Sequence, residues 1–263
     1  MILLEKKGSV ALLTLNRPEM LNAIGQPGDG ESIAAACAEI NADMSIRCAI
    51  ITGAGRAFSA GGDLKAMRDK SGAFGGTPAE LRETYRRNIQ FAVRALYNLE
   101  TPMIAAVNGA AIGLGCDLAC TADMRIASDK AKFAATFLKI GLIPGDGGSW
   151  LLPRVIGHAR AARLLFAAEE IDARTALEWG LVSDVYPAEE LMVRAMELAE
   201  KVSAQPPRAL RVAKTLMRQA VNTTLDTILE MSAVSQAVMH HTRDHEEGVA
   251  AILEKRKADF TGD

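Results

Sequence analysis

Aromatic residues are scarce in this chain, 5% of 263, and no surplus of positive charge exists: 30 Lys and Arg face 32 Asp and Glu, for a net charge of −2. The first scarcity argues against a base-stacking platform. The second argues against an electrostatic grip on phosphate backbones, so nucleic acid is not an expected partner. Cysteine is sparse too. Cys37, Cys48, Cys116 and Cys120 make no dense disulfide framework, which points to a reducing, cytoplasmic setting. The opening MILLEKKGSV lacks the basic start and long apolar stretch of a secretory signal. The longest uncharged stretch, Thr101 to Cys116, holds Pro102, Asn108 and Gly109, Gly113 and Gly115; it is a poor membrane span, and no membrane partner is expected.

Several motifs are missing. The dipeptide Gly-Lys never occurs, which excludes a P-loop. No GxSxG exists, which argues against a serine nucleophile elbow. Gly109, Gly113 and Gly115 do not make GxGxxG, because Leu118 stands where the last glycine belongs. His241 and His245 are four apart and could share a helix face, but a zinc-protease helix would need Glu where Thr242 stands, so no metal is expected.

What is present is an ordinary globular balance, 49% hydrophobic and 24% charged, over a length that can bury a sizeable core. Residues 2–6 and 9–15 read as two strands around Gly8. Residues 25–30 read as a loop and 31–43 as a helix. CAIIT (48–52) and MIAAV (103–107) read as buried strands, and MRIAS (124–128) as another. Residues 71–78 read as a flexible loop, and 79–99 as one long helix ended before Pro102. From Gly157 onward the pattern is helical, with LVSDVY (181–186) as the lone strand and helices near 187–202, 206–218, 223–239 and 244–257. The expected division is a core over 1–200 and a helical region over 201–263.

Two segments share a pattern: CAIITGAGRAFSAGGDL and MIAAVNGAAIGLGCDLA. In each an apolar strand runs into a glycine loop, and a helix is expected to open at Asp-Leu. A helix N-terminus carries free N–H groups and a positive dipole end, and glycines let a ligand approach the backbone. Two such loops facing one point would hold a developing oxyanion between two N–H donors. On spacing alone, two tight turns are the better explanation of the pattern.

The chain resembles the crotonase family, the enoyl-CoA hydratases and isomerases. The resemblance is carried by TLNRPEMLNAI (14–24), ITGAGRAFSAGGDL (51–64), PMIAAVNGAAIGLGCDLA (102–119), KIGLIPGDGGSWLLPRVIG (139–157), ALEWGLVSDVYP (176–187) and EEGVAAILEKRKADF (246–260), in family order. It implies an α/β fold, a spiral of strand–strand–helix repeats with a C-terminal helical trimerisation region, assembled as a homotrimer or a dimer of trimers. It implies an acyl-CoA thioester as substrate, with coenzyme A part of that substrate and no other cofactor. It places the oxyanion donors on the backbone N–H groups of Gly62 and Leu114. Ala60, Gly61, Gly62, Asp63 and Leu64 would line the CoA path, Asn22 and Ala23 would pass the CoA moiety, and Lys255 and Phe260 lie in a tail that reaches toward CoA.

Hydration of an enoyl thioester needs one group to activate water and one to protonate the α-carbon. Hydratases of this family use two glutamates. By the resemblance, the first falls on Asp117, one methylene shorter, and the second on Phe137, which cannot move a proton. Asp146 is an addition, one position after an aspartate that some family isomerases carry at the place of Gly145. The candidate proton carriers are therefore Asp117 and Asp146. Each has a plainer reading, Asp117 as a first-turn helix acid and Asp146 as a turn or cap aspartate. Phe137, if it faces the pocket, favours an apolar acyl group. The expected activity is enoyl-CoA hydration. The alternatives are double-bond isomerisation with a single aspartate, and a non-catalytic acyl-CoA-binding protein.

Overall fold

A computed structural model describes residues 1–263. Six strands form the larger sheet, in the spatial order β1 (Ile2–Lys7), β2 (Val10–Leu15), β3 (Cys48–Gly53), β5 (Met103–Val107), β7 (Met124–Ser128) and β10 (Asp184–Tyr186). Only β1 and β2 are antiparallel; the other neighbours run parallel. Four three-residue strands make a second sheet, β4 (Ala57–Ser59), β6 (Ala110–Ile112), β8 (Lys132–Ala134) and β9 (Glu170–Asp172). The helices are α1 (Asp29–Ala42), α2 (Leu64–Arg68), α3 (Pro78–Arg87), α4 (Ile89–Tyr97), α5 (Leu114–Thr121), α6 (Gly148–Ile156), α7 (His158–Phe166), α8 (Ala173–Trp179), α9 (Leu191–Ser203), α10 (Pro207–Ala220), α11 (Leu225–Met239) and α12 (Arg243–Glu254). None is long and apolar enough to cross a membrane.

The chain winds as a spiral because each turn feeds both sheets. β3 and β4, β5 and β6, then β7 and β8 each place one strand in the large sheet and the next in the small one. The large sheet is covered on both faces, which is why β3 and β5 read as unbroken apolar runs. Side chains alternate between faces. Ala11, Leu13, Leu15, Ala49 and Ile51 join the main core with Ile33 of α1 and Leu96 of α4. Val10, Leu12, Cys48 and Ile50 face Leu191, Ala195 and Ala199 of α9. Helix α9 runs through residue 200 and ends at Ser203.

Three local expectations change. The single helix over 79–99 is broken at Asn88 (φ −115°, ψ −81°) into α3 and α4. The cause is tertiary: Asn88 Oδ1 accepts the Gly30 N–H at 2.7 Å, and its Nδ2 donates to the Gln26 carbonyl at 2.9 Å. A Cβ on Gly30 would lie 2.3 Å from the Asn88 carbonyl oxygen, so α1 and α4 cross only because residue 30 is glycine. The second difference is β9, a strand in the region expected to hold only 181–186; its partner β8 pairs with it antiparallel and closes the small sheet. The third is that the two glycine units do not open their helices alike. Asp63 caps α2, but α5 opens at Leu114, three residues ahead of Asp117.

Helix α10 is tied down through Lys214, a buried ammonium that donates to the Thr101 carbonyl at 2.9 Å and pairs with Asp123 at 2.8 Å. Arg218 bonds the same carboxylate at 2.7 Å. Helix α11 buries no residue and leaves Leu225, Leu229, Val234 and Val238 each more than half exposed.

Candidate active site

The first glycine loop is built from behind by Asn22. This residue is fully buried in a left-handed conformation (φ 57°). Its Nδ2 donates to the carbonyls of Ala54 and Ala57 at 2.9 Å, and Phe58 lies at 3.2 Å. The Asn22 side chain is thus spent on holding the loop around β4. Next along, Ile24 N–H donates to Gly61 O at 2.8 Å and Asp63 N–H donates to Ile24 O at 3.3 Å. Alternation along an extended segment then turns the intervening Gly62 N–H to the opposite side, where it has no partner in the chain. Asp63 is occupied as a cap: its Oδ1 accepts from Lys65 N and Ala66 N, and its Oδ2 accepts from Gln26 Nε2.

The second loop presents Leu114. It is the first residue of α5, and its N–H is one of the donors that a helix start leaves unpaired. Gly113 (φ 54°, ψ −121°) holds the entry by donating to Ala134 O at 2.7 Å. The loops touch at Gly61 (φ 89°), where a Cβ would lie 2.4 Å from the Ile112 carbonyl oxygen and 3.3 Å from Leu114 N. Only glycine allows that approach.

Gly62 and Leu114 line one cavity of about 310 Å³ together with Ala60, Leu64, Phe137 and Asp146. Its wall is mostly apolar, with Phe74 and Tyr85 in edge contact, ring centroids 6.2 Å apart. Phe137 lies within 3.6 Å of where a Gly113 Cβ would be, so its ring flanks the Leu114 loop. A larger hollow of about 470 Å³ between α10, α11 and α12 joins no carboxylate pair to free N–H groups.

Asp117 and Asp146 meet at the end of this cavity. Asp117 sits one turn into α5 with no exposure and does not line the cavity; Asp146, 5% exposed, does. Neither oxygen of Asp117 nor Oδ1 of Asp146 receives an N–H or O–H donor at bonding geometry. Burial, with the charge of Asp146 beside it, pushes the Asp117 carboxyl well above the usual carboxylate range. Burial also raises Asp146, opposed by the neighbouring Asp117 carboxyl. The Tyr85 phenol is raised by burial and then by the Asp146 charge. Gln90 Nε2 holds the Asp146 turn by donating to Gly145 O at 2.8 Å.

Gly148, the first residue of α6, makes room for this pair. A Cβ there would lie 2.3 Å from Asp117 Oδ2 and 2.5 Å from Oδ1. Gly148→Ala is expected to displace the Asp117 carboxyl and to lower stability by about 1–3 kcal/mol, measured by urea unfolding.

Of the residues singled out from the sequence, Ala60, Gly62, Leu64, Leu114, Phe137 and Asp146 come together at the cavity, with Asp117 behind. Asn22, Gly61 and Asp63 build the loops. Ala23, buried, accepts from Arg17 at its carbonyl, 3.0 Å. Lys255 and Phe260 do not line the cavity within one chain. Lys255 ends α12 in a left-handed turn, and the Phe260 carbonyl bonds Arg47 while its ring packs on Gly248. His241 and His245 do not share a helix face, because Thr242 caps α12 and leaves His241 outside it; His245 instead meets His240, with ring nitrogens 3.1 Å apart. Tyr85, Gln90 and Gly148 escaped sequence reading. Tyr85 had one signal, a lone aromatic in the charge-rich run ELRETYRR.

Comparison with known proteins places this geometry. The family model described as enoyl-CoA hydratase/isomerase matches residues 5–263. A 1,2-epoxyphenylacetyl-CoA isomerase of Escherichia coli is 40% identical, over 99% of this chain and 98% of that protein. A crotonyl-CoA hydratase of Syntrophomonas wolfei is 36% identical, over 98% of this chain and 97% of that protein. The crystal structure of an enoyl-CoA hydratase from Bacillus anthracis superposes with a TM-score of 0.93 at 34% identity, covering 100% of this chain and 99% of the other. A spiral fed by two sheets, matched in both sequence and structure from end to end, leaves one assignment: the chain belongs to the enoyl-CoA hydratase/isomerase family, the crotonases.

Proposed function

We propose that this protein shifts a double bond within an unsaturated acyl-CoA thioester by way of an enolate. The observation that carries this reading is that a single carboxyl group, Asp146, lines the cavity shared by Gly62, Leu114 and the apolar Phe137. In the proposed cycle the Asp146 carboxylate takes a proton from a carbon adjacent to the double bond. The electron pair delocalises onto the thioester oxygen, which accepts the N–H groups of Gly62 and Leu114. Asp146 then returns the proton to a different carbon, so the product has the substrate's composition. Isomerisation needs one proton carrier and no water, which suits an apolar wall with one acid. No cofactor beyond the CoA of the substrate is required.

Two N–H donors already oriented at the oxygen stabilise the enolate without reorganisation, at about 3 kcal/mol per donor. Binding of the CoA portion supplies the positioning. The ring-bearing isomerase relative and the three aromatics around the cavity favour a bulky apolar acyl group. Self-association into a trimer or a pair of trimers would cover the exposed leucines and valines of α11.

Hydration remains a second reading, favoured by the hydratase relatives and by a second carboxyl, Asp117, adjoining the first. Incubation of 2-enoyl- and 3-enoyl-CoA esters in heavy-oxygen water separates the two. The expected product has a moved double bond and no added oxygen by mass spectrometry. Incorporated oxygen would instead make the protein a hydratase.

A further inference from the structure

Two carboxyl groups share the end of the cavity with almost no other polar company. Neither oxygen of Asp117 nor Oδ1 of Asp146 receives a donor at bonding geometry, the backbone N–H of Gly148 being the polar group that acts on Asp117 from α6, and both residues are buried. No cation reaches them. Against α5 pack α4, α6, β4 and β6. From α4, Arg94 is exposed and Tyr97 meets Trp150 and Arg218; from α6, Arg154 lies over Trp150 at 3.9 Å. Neither β4 nor β6 carries an ionisable side chain. Within α5, Cys116 and Cys120 are free, buried thiols, and the charge of Arg125 from β7 acts on these thiols. Tyr85 of α3 lies beside the Asp146 turn, and the exposed Lys139 lines the outer cavity. Two buried negative charges in contact, with no cation between them, are not a stable arrangement; one proton held between them is.

We propose that Asp117 and Asp146 hold a single proton between them, resident on the fully enclosed Asp117, and that Asp117 is the positioning residue that orients the ionised Asp146 toward the cavity. The Asp117 O–H donates to Asp146, as a buried neutral carboxyl acid does when it serves a neighbouring carboxylate. This explains why a helix-interior aspartate sits in a pocket too tight for a Cβ on Gly148. It also gives the shortened family acid a use other than touching substrate. The proposal rests on the isomerase reading only for the destination of the substrate proton.

The test counts protons without requiring turnover. Wild type and Asp117→Asn are unfolded in guanidinium at pH 7 in weakly buffered indicator solution. Because the folded pair binds a proton that the unfolded carboxylates do not, wild type is expected to release about one proton more per chain than the variant. Equal release overturns the proposal. If the variant does not fold, the infrared spectrum of folded wild type decides alone: a protonated-carboxyl C=O band at pH 7 that vanishes on unfolding supports the shared proton, and its absence refutes it. In turnover, Asp117→Asn keeps an N–H donor and should lose no more than about tenfold in kcat, whereas Asp117→Leu removes the donor and should move the acid limb of the pH–rate profile upward. A protein that isomerises nothing yet releases the extra proton would sink the isomerase reading and leave this one standing.

Discussion

Asp146→Asn is expected to lower kcat by about 10³-fold or more while leaving KM for the CoA ester nearly unchanged. The substitution keeps shape and volume, and Gln90 still holds the turn through the Gly145 carbonyl. What disappears is the single cavity-facing group able to accept and return a proton. The substitution removes no group proposed to touch CoA, so binding should persist; the kcat-against-KM split measured by steady-state kinetics checks this. The pH dependence follows from the direction of the shift. The working form of Asp146 is ionised, and its folded-state pKa is raised by burial. Activity is therefore lost as pH falls through a value above the ordinary aspartate range, about 3.9. Stability runs the other way: a raised carboxyl pKa means the folded state holds its proton more tightly, so this contribution is complete below about pH 4 and is lost as pH rises through the folded value. A neutral asparagine removes that loss, and the variant should melt no lower than wild type at pH 7. Retained turnover in Asp146→Asn would move the proton to another group.

Leu114→Pro tests the other half of the site. Residue 114 is the first of α5, the helical position at which proline is best tolerated because its N–H has no intrahelical partner. Proline there deletes one N–H and leaves the helix to form. It also deletes a leucine side chain that is 3% exposed, so Leu114→Ala is the matched control. Both variants should lose about 2–5 kcal/mol of stability from the packing defect. Only the proline variant should lose a further 10²–10³-fold or so in kcat, the usual cost of one missing oxyanion donor. Equal rates in the two variants would show that the Leu114 N–H does not serve the transition state.

Sequence pattern exposed the strands of the large sheet because they are buried on both faces. CAIITG and MIAAV have nowhere polar to point. The small sheet stayed hidden, since its strands are three residues each and three of them adjoin glycine loops or turns. The break at Asn88 was invisible because its cause lies in Gly30 and Gln26, some sixty residues away. The site divides in the same way. Gly62 and Leu114 were legible through the family resemblance, since glycine spacing alone fits two tight turns; Asp117 stood at the register of a family acid, and Asp146 stood out as an addition one position from an isomerase aspartate. That the two aspartates meet was not legible. It depends on α5 packing against α6 and on a missing Cβ at Gly148. The misplaced opening of α5 has a related origin: helix start follows the free N–H of Leu114, and Asp117 is drawn inside rather than used as a cap.

The unpartnered donors at Gly62 and Leu114 belong to the main chain. Nearly every missense change at either position, proline aside, leaves an amide hydrogen in place. The anion-stabilising half of the proposed chemistry is thus inherited with the fold, while the acid–base half resides in side chains that one codon can rewrite. A lineage carrying this scaffold can exchange Glu for Asp, or acid for phenylalanine, and change its reaction without rebuilding what stabilises the intermediate. Reaction type then drifts faster than ligand class, so a thioester-binding assay should discriminate poorly among such relatives where a proton-transfer assay separates them.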